Sequence, residues 1–250
     1  MKRILINYAH NIWYASQKLN TYTGKKFGGF DVVREHNIDD IHESFKQKNA
    51  HILSEQRGAG YWLWKPYIIY KNLIKMKDDD VMLYCDSGAR FVGSFDDYLF
   101  DMCRDDEHGL ILFKDTHLSK IYTKRDCFVY MECDEPAYHD NPQLVASYQL
   151  VRKTPFTVQF YSELLSWSQD ERVLTDMPNT CGDDNLPEFV DHRHEQSILT
   201  NMQLKHNITT VTDPSQWGDS RRQANHKRLI YHHRINYSEN DLEYLQLMNQ

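Results

Sequence analysis

The sequence predicts an α/β fold, a mostly parallel central sheet flanked by helices. Three observations predict it. Short apolar runs of strand length alternate with amphipathic stretches of helical period. One run, Val81–Cys85, is apolar throughout, the pattern of a strand covered on both faces. No repeat, linker or low-complexity segment divides the 250 residues, so residues 1–250 are assigned to a single domain.

Arg3–Tyr8 reads as the first buried strand, running into a loop at Tyr8-Ala9-His10. Gly24–Gly29, rich in Gly and Lys, reads as a flexible loop, and it lacks the Gly-Lys-Ser/Thr ending of a phosphate-binding loop. Asp39–Lys48 has helical spacing, with Ile41 and Phe45 on one face and Asp39 or Asp40 as its cap. Gly58-Ala59-Gly60 breaks the chain. Lys65–Lys77 is predicted to be a helix, with Pro66 in its first turn and Tyr67, Tyr70, Leu73 and Ile74 as its apolar stripe. Asp78-Asp79-Asp80 closes it as a turn. Val81–Cys85 follows as the central strand, with Asp86-Ser87-Gly88 at its carboxyl end.

Phe95–Cys103 reads as a helix, Gly109–Phe113 as a strand and Lys124–Glu132 as a short helix with a turn. Gln143–Arg152 is a strand. Pro155–Gln169 is an amphipathic helix bearing Phe156, Phe160, Leu164 and Trp167. Thr175–Pro187 is a loop, and His194–Lys205 a helix with Ile198, Leu199 and Met202 inward. From Asp213 the chain is polar and irregular until Arg228–Ile235, where Leu229-Ile230-Tyr231 forms a late strand.

Composition narrows the function classes. The formal net charge of −7 gives no basic face for generic nucleic-acid binding. Five cysteines, an odd number without a CxxC pair, form neither a disulfide framework nor a zinc knuckle. They are read as reduced thiols of a cytoplasmic protein. The apolar run at the N-terminus is too short for a signal peptide, and no stretch approaches the roughly 20 apolar residues of a membrane span. The sequons at Asn207 and Asn236 then carry no weight.

Asp86 stands where ligands bind in open α/β sheets, beyond the carboxyl end of a strand. A carboxylate leaving a buried strand needs a partner. A divalent cation that also grips a diphosphate is one, and hard oxygen ligands suit Mg²⁺ or Mn²⁺. Asp-Ser-Gly is equally a common turn composition. The loop Tyr8, Ala9 and His10 ends the opening strand and is placed against the base or ribose of a nucleotide. Lys65, and less directly Arg57, supply point charges for its phosphates, although a lysine there can also lie along the surface. Trp62 and Trp64 are pocket-lining or core residues.

The strand Val81–Cys85 with Asp86-Ser87-Gly88 resembles the Asp-x-Asp strand of glycosyltransferases of the GT-A fold, which are Rossmann-like single domains. Gly58-Ala59-Gly60-Tyr61-Trp62-Leu63-Trp64-Lys65-Pro66-Tyr67 is similar to the Gly-Tyr-Trp-x-Trp-Lys-Pro block of bacterial and viral glycosyltransferases. His192-Arg193-His194-Glu195-Gln196-Ser197 resembles their His-Arg-x-(Asp/Glu)-Gln-Ser segment. The matches span Arg57 to Leu199. The second acid of the motif is Gly88 here, so Asp86 alone matches a metal-ligating carboxylate. The resemblance implies a donor site at Asp86, Ser87 and Gly88, completed by a late histidine on the metal, His232 or His233. It places Glu195, and second Asp191, near the reacting sugar, as catalytic base or as stabiliser of a positively charged sugar. Glu195 in the first turn of a helix is also favoured by the helix dipole. If the helix begins early enough, Asp191 and Glu195 share a face. His192 and His194 then orient a carboxylate or an acceptor hydroxyl.

The reading is transfer of a sugar from a nucleotide-sugar donor to a hydroxyl acceptor, assisted by Mn²⁺ or Mg²⁺. The competing classes are a metal-dependent hydrolase or nucleotidyltransferase built on the same residues, and a silent nucleotide- or carbohydrate-binding domain.

Overall fold

Seven strands form one sheet in a computed structural model that describes residues 1–221 and 227–234. They are β1 (Arg3–Tyr8), β2 (Val32–His36), β3 (Val81–Cys85), β5 (Leu110–Leu118), β6 (Pro142–Leu144), β7 (Tyr148–Arg152) and β8 (Thr209–Thr212). The order is β2-β1-β3-β7-β5-β6, with β8 also paired to β5. β1, β2, β3, β5 and β8 run one way, β6 and β7 the other, so the sheet is mostly parallel in strand direction. A two-stranded ribbon joins β4 (Ala89–Phe91) to β9 (Ile230–His232). The expected sequon at Asn236, and Ile235 of the late strand, lie outside the described residues.

Side-chain alternation divides the core between two faces. Ile4, Ile6, Tyr8, Met82 and Tyr84 point to one, against helices α2 (Trp64–Leu73), α4 (Pro155–Trp167) and α5 (Glu195–Lys205). Leu5, Val81, Leu83 and Cys85 point to the other, with Phe91, Phe95 and α3 (Leu99–Asp105). Thr154 caps α4 through a reciprocal bond pair with Thr157, and Pro155 opens it.

The structure corrects several boundaries. The segment read as a Gly/Lys loop is the end of a helix, α1 (Tyr14–Phe27). Gly24 sits inside it because α1 presses onto β1: a Cβ there would lie 2.3 Å from Leu5 Cδ2. Gln143–Arg152 is an extended run interrupted at 145–147. β7 pairs with the start of β5, β6 with its end, and Val145 N–H donates to Phe113 O between them. β5 itself continues past Phe113 to Leu118 and leaves the core as it does so. Asp39–Lys48 divides into a 3-10 turn, Ile38–Asp40, and a helix from Glu43.

A candidate active site at the carboxyl edge of the sheet

The parallel strands β1, β3 and β5 end at the same edge, and a cleft of about 1060 Å³ opens there. Tyr8 and His10 reach it from β1, Asp86, Ser87 and Gly88 from β3, and Lys114 to His117 from β5. Arg57, Trp62, Lys65, Asp191, Glu195 and His232 line it from elsewhere in the chain. The structure therefore collects most of the residues singled out in the sequence. Ala9 does not join them: it is buried, with its N–H bonded to His36 O. His233 is likewise not part of the lining, since neighbours on an extended strand point to opposite faces and His232 takes the inward one.

Lys65 is the centre of the arrangement. Its side chain is buried rather than lying on the surface, and its ammonium sits 2.6 Å from Glu195 Oε1 and 3.4 Å from Asp86 Oδ1. Burial works to lower the lysine pKa, but the two carboxylates outweigh it and the net shift is upward. The charge expected to meet donor phosphate is thus already engaged by two acids. Glu195 is buried as well. Burial raises its pKa to about 7, against the pull of Lys65 and with a push from Asp86. One ammonium shared by two acids leaves Glu195 titrating near neutrality.

The turn carrying Asp86 is pinned from below. Ser87 Oγ donates to Tyr8 O at 2.6 Å, Asn20 Nδ2 donates to Ala89 O at 2.9 Å, and Asp86 N–H donates to Ser147 O. Tyr84 Oη donates to Asp86 Oδ1 at 2.5 Å, so one carboxylate oxygen is fixed within the site. Gly88 stands where a second acid would be, and a Cβ there would lie 3.2 Å from Trp13 Cζ3. His232 is stacked on Trp217 at 3.9 Å, and its Nε2 is buried with no hydrogen-bond partner among the described residues. Burial lowers its pKa to about 3, so the ring is neutral, the form that binds metals.

The 191–196 block is arranged differently from its expectation. α5 starts at Glu195, so Asp191 lies in the preceding loop and shares no helix face with it. Asp191 binds Arg57 in a two-pronged pair, with Asp176 as a third member 2.9 Å from Arg57 Nη1. Arg57 and Asp191 thus answer each other. His192 orients neither a carboxylate nor a cleft group: Nδ1 accepts from Lys124 N–H and Nε2 donates to Val173 O at 2.9 Å. Burial holds it far below the usual imidazole range. Trp62 lines the cleft with its ring between Gly58 and the ring of His194.

Several lining residues had no signal in the sequence. Asp115, on β5, accepts from Arg193 Nη1 at 2.7 Å, and the Arg193 guanidinium stacks on Tyr122. Arg234 lies over Trp217. Lys114 is exposed, and its ammonium has no ion pair among the described residues. Arg193 falls in the His192–Ser197 block without having been singled out there, while Lys114, Asp115 and Arg234 belong to no motif and reach the cleft through the extension of β5 and the return of the late strand.

No protein-family model matches the chain, and a search of curated proteins finds no match. Among solved structures the chain is similar to mouse xyloside xylosyltransferase 1, at 11% identity and a TM-score of 0.48, over 92% of this chain and 96% of that one. It is also similar to the glycosyltransferase GlyE of Streptococcus pneumoniae, at 15% identity and a TM-score of 0.46, over 96% of this chain. It covers 55% of GlyE, about half that protein's length.

Proposed function

We propose that this chain is a glycosyltransferase, moving a sugar from a nucleotide-sugar donor to an acceptor hydroxyl. The observation that carries the reading is the buried Lys65 ammonium held between Asp86 and Glu195, in a cleft at the carboxyl edge of the sheet. A charge triad so costly to bury needs a purpose beyond stability.

In this reading Asp86 serves the donor diphosphate. One of its oxygens is occupied by Tyr84 and Lys65, and the other, with His232 Nε2, suits a divalent cation. Mn²⁺ or Mg²⁺ held there would offset charge on the departing diphosphate. Among the described residues no three His, Cys, Asp or Glu side chains are grouped to hold an ion by themselves. Diphosphate oxygens and water would complete its shell. Lys114 and Arg234 add positive charge along the same cleft. Tyr8 and His10, at the end of β1, receive the base or ribose, with Ser87 and Gly88 beneath.

Glu195 faces the reacting sugar. Lys65 fixes its position, and a carboxyl titrating at about 7 can take the acceptor proton or, ionised, stabilise positive charge on the sugar. Asp191 is held by Arg57 and shapes the wall beside it.

The reading predicts that nucleotide-sugars raise the melting temperature more in the presence of Mn²⁺ than in its absence, by about 5 °C or more at a hundredfold excess over Kd. Asp86→Ala should lose the Mn²⁺-dependent part and keep its unliganded melting temperature to within a few degrees. A shift equal in both proteins would remove Asp86 from the donor site.

A further inference from the structure

Two strained segments meet on the wall of the cleft. Gly58, Ala59, Gly60, Tyr61 and Trp62 have positive φ of 59°, 50°, 93°, 50° and 60°, a left-handed turn in which three residues carry side chains. L-residues visit this region singly and at a cost, not in series. The turn is held by Tyr61 N–H to Arg57 O at 2.8 Å and by Trp64 Nε1 to Gly58 O at 2.9 Å. Across from it His194 has φ 52° and ψ −123°, the backbone of a glycine in a tight turn. Its ring lies against both aromatics of the turn, with centroids 4.8 Å from Tyr61 and 5.4 Å from Trp62.

That strain fixes one imidazole. His194 Nδ1 donates to Leu174 O at 2.8 Å, so Nε2 carries the lone pair. The residue is 1% exposed and lines the cleft, and Nε2 has no hydrogen-bond partner among the described residues. Asp176 Oδ1 lies 3.9 Å away and, as an acceptor, offers the lone pair of a neutral ring nothing. Two residues on, Gln196 also lines the cleft, and its Nε2 is buried with no hydrogen-bond partner among the described residues. One orphan acceptor and one orphan donor at the same loop–helix junction match a group that gives and takes a hydrogen bond at once. Hydroxyls do so, whereas phosphates only accept and ammonium groups only donate.

We propose that His194 is the hydroxyl-recognition residue of the cleft: its Nε2 accepts a hydrogen bond from a saccharide hydroxyl, while Gln196 donates to an oxygen of the same ligand. The left-handed turn at 58–62 acts through His194, clamping its ring, and is a positioning element. The assignment rests on the glycosyl-transfer reading for its ligand class and adds the residue that selects the sugar.

The test compares the wild-type chain with His194→Asn, whose amide can reproduce the Nδ1 bond to Leu174 but places nothing at Nε2. Both are assayed with methyl glycosides as acceptors and nucleotide-sugars as donors, each with its monodeoxy series. One deoxy position should lower wild-type kcat/KM by about tenfold or more, and the same position should cost the variant about twofold or less. A position on the glycoside assigns the hydroxyl to the acceptor, and one on the nucleotide-sugar assigns it to the donor. Identical discrimination by both proteins at every position overturns the proposal. Should the variant not fold, nitrogen NMR of the wild-type histidines takes its place. The His194 Nε2 resonance should move on adding saturating saccharide, and a resonance that stays put overturns the proposal. A wild-type chain that binds saccharides without transfer would end the glycosyl-transfer reading alone, and the same deoxy comparison on Kd would then decide for or against His194.

Discussion

A lysine ammonium taken out of water costs several kcal/mol, and Lys65 offsets that cost through Asp86, Glu195 and the Ala146 carbonyl. Lys65→Met should therefore destabilise the chain by about 3–5 kcal/mol in denaturant unfolding, since it leaves the buried Glu195 and the half-buried Asp86 without their counter-ion. A loss below about 1 kcal/mol would mean that the triad is not buried as described. Glu195 has a folded pKa of about 7 against an ordinary 4.5. Its raised value means that its contribution to stability is fully present below pH 4.5 and is lost as pH rises through 7. For the proposed transfer the sign is opposite, because the role assigned to Glu195 needs its carboxylate form: the rate should climb as pH passes 7. Glu195→Gln should lower the maximal rate by roughly 10²–10⁴-fold and abolish that limb of the profile, with donor affinity retained. A near-native rate would move the role away from Glu195. Lys65, Asp86 and Glu195 were each visible in the sequence as a charged residue at the edge of an apolar element. Their mutual contact was not, because it joins three elements far apart in the chain. For the same reason Lys65 and Arg57 read as phosphate contacts, although the fold supplies each with acids of its own.

Among the elements, the strands were the most legible, since Val81–Cys85 is buried and apolar throughout and Arg3–Tyr8 is buried from Ile4 on, with Asn7 its one polar residue inside. α1 was hidden by Gly24 and its neighbouring lysines, a composition that suggests a loop. Only contact with Leu5 explains a glycine there. Gly58-Ala59-Gly60 announced a break, but nothing local says that the left-handed path continues through Tyr61 and Trp62. Ala59→Gly should raise stability by about 1 kcal/mol, read as a higher melting temperature, because glycine accepts φ 50° without a Cβ clash. A lower melting temperature would show that Ala59 is not strained. The helix boundary at Glu195 is of the same kind: the polar block pointed to a helix start, while the glycine-like backbone of His194 sets that start too late to include Asp191.

For the whole molecule, strand direction produces the site. β1, β3 and β5 deliver their ends to one edge, and the interruption of the β6–β7 run at 145–147 brings the Ala146 and Ser147 carbonyls to Lys65 and Asp86. The late strand β9 then returns His232 to the same cleft from the far end of the chain. Such convergence is a property of topology, and the α/β alternation predicted it in outline without specifying Asp115, Arg193 or Arg234. Glycosyl transfer at this edge is the proposed activity. Its most direct test is product analysis of the purified chain with a panel of nucleotide-sugars and glycan acceptors in Mn²⁺ or Mg²⁺, alongside Asp86→Ala and Glu195→Gln. A new glycoside is expected with at least one donor, its formation reduced by about 10²-fold or more in both variants. Donors that bind without turnover, or that are only hydrolysed at a rate both variants share, would contradict it.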